Sequence, residues 1–443
     1  MKTATMIGSG ILALACVSFW TGCGRNSPGS EIAPVTPSPV AQGVIKSALP
    51  RDSVRAPDAD IAAVTNGNNL FGWSLLQKLQ DQGSNLFFSP YSVTSALAMT
   101  WAGAKGQTAA EMKQTLRFPF DSVRLHAAIN SIDLALAERG QNAGGHEGAG
   151  FALRVSNSLW GEQTFTFLPS YLDLLAQYYD AGMHPVDFVN NPEPARLSIN
   201  AWVYQQTNGK IKNLIPQGQV NNQTKLVLTN TVYFDAAWAD SFAAGSTDTG
   251  AFTLASGGTM PSPFMHKKAQ FNYNEDADFK AIELPYSGKQ VSMVIVLPKT
   301  SAGSNATAIP YSRITGLLAG FSSRQVALSL PKFSFTYGTA SFNQQLADLD
   351  MPTAFTNAAD FSGITGTRNL CVGNVLHQAY VAVDENGTTA AAATAVIVIF
   401  TATPVDPQLI VFSADHPFLF FIRDIPTEQI VFMGYVAQPT IAQ

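Results

Sequence analysis

The sequence predicts an α+β domain, and three observations carry that reading. Helical spacing appears early, in Phe71, Leu75 and Leu79 and again in Leu168, Tyr171, Leu172 and Leu175. Strand-type runs dominate later, as in Val291-Ser292-Met293-Val294-Ile295-Val296-Leu297, and the two kinds do not alternate strictly. A chain of 443 residues, 46% of them hydrophobic, can bury one large core and reads as one folded domain. No internal repeat or heptad run interrupts it.

In chain order, Met1-Lys2-Thr3 and the apolar run from Met6 to Trp20 read as an export signal rather than structure. Thr21-Gly22-Cys23 resembles the end of a bacterial lipoprotein cleavage box, with Trp20 where such boxes usually hold Leu. That resemblance implies removal of residues 1–22 and a lipid on Cys23, with simple secretion as the alternative. Residues 23–60 are rich in Pro, Ser and Ala and lack periodicity, so they are expected to be a disordered tether. The folded domain is then expected over 61–443. Gly24 is not an Asp, so in a two-membrane cell the expected destination is the outer membrane.

The most informative segment lies near the end. After Glu385-Asn386-Gly387 come Thr388, Thr389, four alanines (Ala390, Ala391, Ala392, Ala393), Thr394 and Ala395, then Val396-Ile397-Val398-Ile399-Phe400. No charge occurs from Thr388 to Val405, so an exposed loop here lacks its usual solubilising groups. A membrane span fits poorly, because the run is dotted with Thr, ends at Pro404 and has no flanking Lys or Arg. A helix would accept the alanines but not the β-branched run behind them. An ordinary core strand is the competing reading. A loop that later becomes a buried central strand accounts for both halves, since small residues ease entry and β-branched ones fit a pleated surface.

The flanking residues add a resemblance. Val375 to Gly387 is an alternating strand ending in a Gly that can pivot. Ser413-Ala414-Asp415-His416-Pro417-Phe418 and Ile430-Val431-Phe432-Met433-Gly434-Tyr435-Val436 follow the loop. Earlier come Asn85-Leu86-Phe87-Phe88-Ser89-Pro90-Tyr91-Ser92, Gly103 to Met112, Ile199-Asn200-Ala201-Trp202-Val203, and Leu228-Thr229-Asn230-Thr231-Val232-Tyr233-Phe234 with Trp238. In this order, over about residues 61 to 440, the blocks resemble the serpin family of serine protease inhibitors.

That resemblance implies several helices with large mixed β-sheets and an exposed reactive loop at about 385–408. It implies a hinge at Glu385, Gly387, Thr388, Thr389 and Ala390 to Ala393. It further implies a hydrogen-bonded shutter cluster of Ser89, Ser92, Asn230 and His377, and an upper-sheet position for Trp238. Counting to the seventeenth residue from Glu385 implies a reactive-centre bond at Thr401-Ala402, with Phe400-Thr401 as the alternative. The implied activity is suicide inhibition: a serine protease cleaves the loop and is caught as a covalent acyl-enzyme while the loop inserts into the main sheet. A non-inhibitory binding or chaperone-like protein on the same scaffold is the alternative. No Lys or Arg occurs from Thr388 to Ile422, which points to an elastase-, subtilisin- or chymotrypsin-like target and leaves cysteine proteases open.

The remaining chemistry is sparse. A net charge of −5 provides no broad basic face for nucleic acid, and a monomer is expected. The six histidines show no metal-binding spacing, so no metal or cofactor is expected, and no nucleophile elbow suggests an enzyme. Cys16 lies in the leader and Cys23 carries the lipid in this reading, which leaves Cys371 without an intramolecular partner.

Overall fold

The computed structural model describes residues 43–79, 83–139, 151–300, 308–388 and 409–441. All of them fall within one compact unit. Its helices are α1 (Asp58–Leu79), α2 (Pro90–Trp101), α3 (Gly106–Thr115), α4 (Ser122–Glu138), α5 (Pro169–Tyr179), α6 (Pro192–Gln206), α7 (Tyr311–Ala319), α8 (Asn343–Ala347) and α9 (Ser362–Thr365). Six of them precede residue 207, so the early helical spacing and the later strand runs both appear where they were expected.

Two sheets carry the strands. The first has the order β10 (Phe333–Ser341), β11 (Asn374–Val383), β12 (Gly387–Thr388), β4 (Leu226–Ala237), β2 (Phe151–Glu162) and β3 (Met183–Val186). The second has the order β1 (Leu86–Phe88), β15 (Ile430–Val436), β14 (Phe418–Asp424), β8 (Val291–Pro298), β7 (Phe279–Pro285), β6 (Thr259–Glu275), β9 (Ser322–Pro331) and β13 (Ile410–Ser413), with β5 (Thr247–Thr253) paired to β6. Strand β13 follows the loop segment and enters parallel to β9 through pairs such as Phe412 with Leu328. His416 fastens the next turn: its Nε2–H donates to Pro298 O at 2.8 Å, tying the start of β14 to the end of β8.

Alternation splits the first sheet into two buried faces. Leu226, Leu228, Val375 and Ala379 belong to the main core with α1 and α2, whereas Val227 and Leu376 pack with Ile199 and Val203 of α6. Helix α2 is buried along its whole length, so it carries no polar stripe. Its start is built by Pro90 in the first turn and by Ser89 as N-cap, whose hydroxyl accepts from Ser92 N at 3.1 Å.

The expected tether differs from what is seen at its C-terminal end. From Gly43 the chain runs as a strap along the domain, and helix α1 starts at Asp58, ahead of the expected boundary at 61. Ile45 and Met183 exchange backbone bonds of 2.8 and 2.9 Å, covering the open edge of β3. Asp52 N donates to Gln177 O at 2.8 Å, and Arg51 reaches Asn130 at 2.7 Å and Asp133 at 2.6 Å on α4. Close approach requires Gly182, because a Cβ there would lie 2.6 Å from Ile45 O and 2.7 Å from Val44 Cγ1. Gly182→Val is therefore expected to lift the strap. Limited proteolysis should then cut ahead of Pro57 faster, with a stability loss of about 1–2 kcal/mol from the broken backbone pair. An unchanged cleavage pattern would refute the strap's attachment.

Candidate functional site

Strands β11 and β4 run parallel and are bonded from Asn374–Val227 up to Gln378–Thr231. Above that point the pairing between them stops, and β12 stands in the gap: Gly387 pairs with Ala237 and Thr388 with Ala236, while Val383 pairs with Thr388 from the other side. The seam is closed below and wedged open above. An open stretch of strand has backbone groups to satisfy, and at the top the hinge residues satisfy them.

Below the parting point lie the four polar residues expected together, and one that was not expected. His377 Nδ1–H donates to Asn230 Oδ1 at 2.6 Å, and its Nε2 accepts from Ser89 N at 3.2 Å. Asn230 Nδ2 donates to Asn157 Oδ1 at 2.6 Å and to the Ser92 hydroxyl, which itself donates to Asn157 Oδ1 at 3.2 Å. Ser89 Oγ donates to Val431 O at 2.6 Å. One tautomer of His377 satisfies every bond. The cluster joins β11, β4, β2 and the start of α2, so it spans both sides of the seam. Asn157 was missed, although an Asn in mid-strand is a weak signal, being depleted there.

The top of the seam has a different chemistry. Thr388 is 1% exposed, and its hydroxyl shares a 2.7 Å hydrogen bond with Tyr286 Oη. The Tyr286 ring stacks on Trp238 at 4.6 Å and meets Phe234 edge-on at 5.1 Å. Trp238 sits at the upper end of β4, where its Nε1 donates to Asp384 O at 3.0 Å and its backbone N to Asn386 O at 2.8 Å. Gly387 was expected to serve as a pivot. Its visible role is close approach: a Cβ there would lie 2.1 Å from Ala236 O.

Glu385 is held from two sides, by Lys332 Nζ at 2.7 Å and Thr247 Oγ1 at 2.7 Å. Burial works against its charge, yet these partners hold its carboxyl below the ordinary value. Burial raises the neighbouring Asp384, against the pull of the Asn386 and Gly387 backbone N–H groups. Tyr286, Lys332 and Thr247 carry no local sequence signal for this role. Thr389, Ala390 to Ala393, Phe400, Thr401, Ala402 and Cys23 lie outside the described residues. Thr388, which an exposed loop would present to solvent, is already buried in the sheet.

Burial depresses His377 from an ordinary value of 6.5 to about 3. Protonated Nε2 would also face Ser89 N–H donor to donor. The ring stays neutral in the fold while the unfolded chain takes up a proton below pH 6.5, so its contribution is complete above pH 6.5 and lost as pH falls toward 3. The slope is at most about 1.4 kcal/mol per pH unit. His377→Gln, which does not titrate, should flatten the pH dependence of the unfolding midpoint by up to that amount. Superimposable profiles for both proteins would refute the assignment.

Residues 66–439 match the family model described as serpin (serine protease inhibitor). A serpin-like protein of Thermococcus kodakarensis is 38% identical over 377 residues, covering 85% of this chain and 86% of its own. Leukocyte elastase inhibitor A of Mus musculus is 37% identical over 390 residues, covering 85% and 99%. Among solved structures, the native state of tengpin, a thermophilic serpin, aligns with a TM-score of 0.77 at 27% identity, covering 89% of this chain and 97% of that one. Uncleaved ovalbumin aligns at 0.75 and 25% identity, covering 85% and 100%. With the α+β architecture, the parted seam and these matches in hand, the chain belongs to the serpin family of serine protease inhibitors.

Proposed function

We propose that the protein is a suicide-substrate inhibitor of an elastase-, subtilisin- or chymotrypsin-like serine protease outside the cell. The observation that carries the reading is the position of Gly387 and Thr388, bonded between β11 and β4 at the top of a seam that is unpaired just below them. A strand entering there would continue a path that its first residues already occupy. In this reading the protease serine attacks the carbonyl of Thr401, with Phe400 as the alternative, forms an ester and releases the amine of the next residue. The freed segment then enters the seam, about fifteen residues or roughly 50 Å at strand rise, and draws the acyl-enzyme with it. Trapping wins when insertion outruns deacylation. The loop-exposed fold is then a kinetically held state, whose stored strain is released when the loop inserts.

Two features support the target class and the mechanism. The uncharged run from Thr388 to Val405 offers nothing for an acidic specificity pocket and nothing costly to bury on entry. Relatives named leukocyte elastase inhibitor, from mouse and human, are 37% and 35% identical to this chain.

Incubation of the purified protein with pancreatic elastase should give a covalent complex on a denaturing gel. Thr388→Arg should convert the inhibitor to a substrate, raising the stoichiometry of inhibition by about tenfold or more, because a guanidinium would have to be buried beside Tyr286. A cut loop with no complex from the wild type would establish a non-inhibitory member instead.

We also infer an envelope location, from Thr21-Gly22-Cys23 and the segment after it. Cys23→Ala should move the protein from the membrane to the soluble fraction on cell fractionation. Mature protein free in the medium and starting at another residue would support plain secretion.

A further inference from the structure

Behind the strap lies a cavity of about 520 Å³, bounded by the strap, α2, α4, the end of α5, β2, β3 and α6. Its charged groups are spent on one another: Lys46 pairs with Asp180, and Arg51 with Asp133 at 2.6 Å. Its far wall is aromatic and holds unused hydrogen-bonding capacity. The His184 ring stacks on Trp160 at 4.4 Å and meets Trp202 at 6.0 Å, but neither ring nitrogen has a hydrogen bond among the described residues. The same holds for Trp202 Nε1 and for Gln206 Nε2, whose amide oxygen alone is engaged, by Ser156 Oγ at 3.4 Å. Burial brings His184 down to about 4, so at neutral pH it presents one donor and one acceptor without charge.

The lining also includes Asn157, whose Oδ1 accepts from Asn230 and Ser92 in the polar cluster beneath the seam. An occupant of the cavity therefore sits one side chain from the residues that join β2 to β4. A concave site with aromatic faces and a few convergent polar groups is the usual form of a small-molecule site.

We propose that this cavity binds a small uncharged molecule carrying a flat ring with both donor and acceptor atoms, and that its occupancy steadies the seam through Asn157. The binding stands independently of the inhibitory reading, while the regulatory consequence rests on it.

Adenine is a suitable probe, with AMP as its anionic counterpart, titrated into the full chain by calorimetry and by the NMR signals of the His184 ring. Saturable adenine binding with a Kd on the order of 0.1–1 mM is expected. It should weaken by roughly tenfold in His184→Ala and by a smaller factor in Trp202→Phe, which keeps the ring and removes the donor. Hydrogen exchange at residues 229–231 and 376–378 should slow at saturating adenine. A linear, non-saturating response, or equal affinity in both variants, would overturn the site. Tighter binding of AMP would overturn its uncharged character, and unchanged exchange would overturn the coupling to the seam. None of these readouts requires protease inhibition, so a failure here is distinct from a failure of the inhibitory reading.

Discussion

Everything in this fold is arranged around two neighbouring parallel strands, β11 and β4, that are bonded over only part of their length. Parallel pairing that stops at Gln378–Thr231 leaves backbone donors and acceptors to be satisfied above it. The two hinge residues meet that demand at the upper end, bonded on both sides. Helix α2 and the main core close one face of the sheet and α6 closes the other, so within the interior of the sheet the described pairing leaves the gap for another strand between β11 and β4.

The two ends of the seam hold by different physics. At the lower end, hydrogen bonds among His377, Asn230, Asn157, Ser92 and Ser89 fix the register, each with a net worth of about 1 kcal/mol but a larger penalty if one partner is left alone. A buried network with its bonds satisfied in this way rigidifies the place it occupies. At the upper end, Tyr286, Trp238 and Phe234 form a packed aromatic wedge whose shape, more than its bonds, decides what fits beside it. Gly387 and Thr388 fit because one has no side chain to strike Ala236 O and the other places a single hydroxyl on Tyr286.

The strap adds a constraint on the other side of the sheet. It joins β3, the edge strand beyond β2, to α4 and α5 through backbone pairs and the Arg51 contacts. Sideways movement of β4, β2 and β3 to admit a further strand would have to carry or strain these links. Its attachment was not legible in the sequence, because a stretch rich in Pro and Ser has no periodicity. What holds it are partners more than seventy positions away, such as Asn130, Asp133 and Met183. Asn157, Tyr286, Lys332 and Thr247 escaped for the same reason: each meets the site through register or a cross-sheet contact.

The amino-acid sequence by itself determined the fold class, the order of helices before strands and the uncharged, small-to-branched character of the hinge. These are local properties of composition and period, and burial selects them one segment at a time. Through the family resemblance that its motifs carry, it also implied the cluster of Ser89, Ser92, Asn230 and His377. Tertiary structure alone decided that the hinge begins inside the sheet, that Thr388 is buried against Tyr286, and that residues from Gly43 lie along the domain. The reason is geometric. Strand pairing and docking join residues far apart in the chain, and a shift of one position would turn every side chain of a strand to the other face without changing its local pattern.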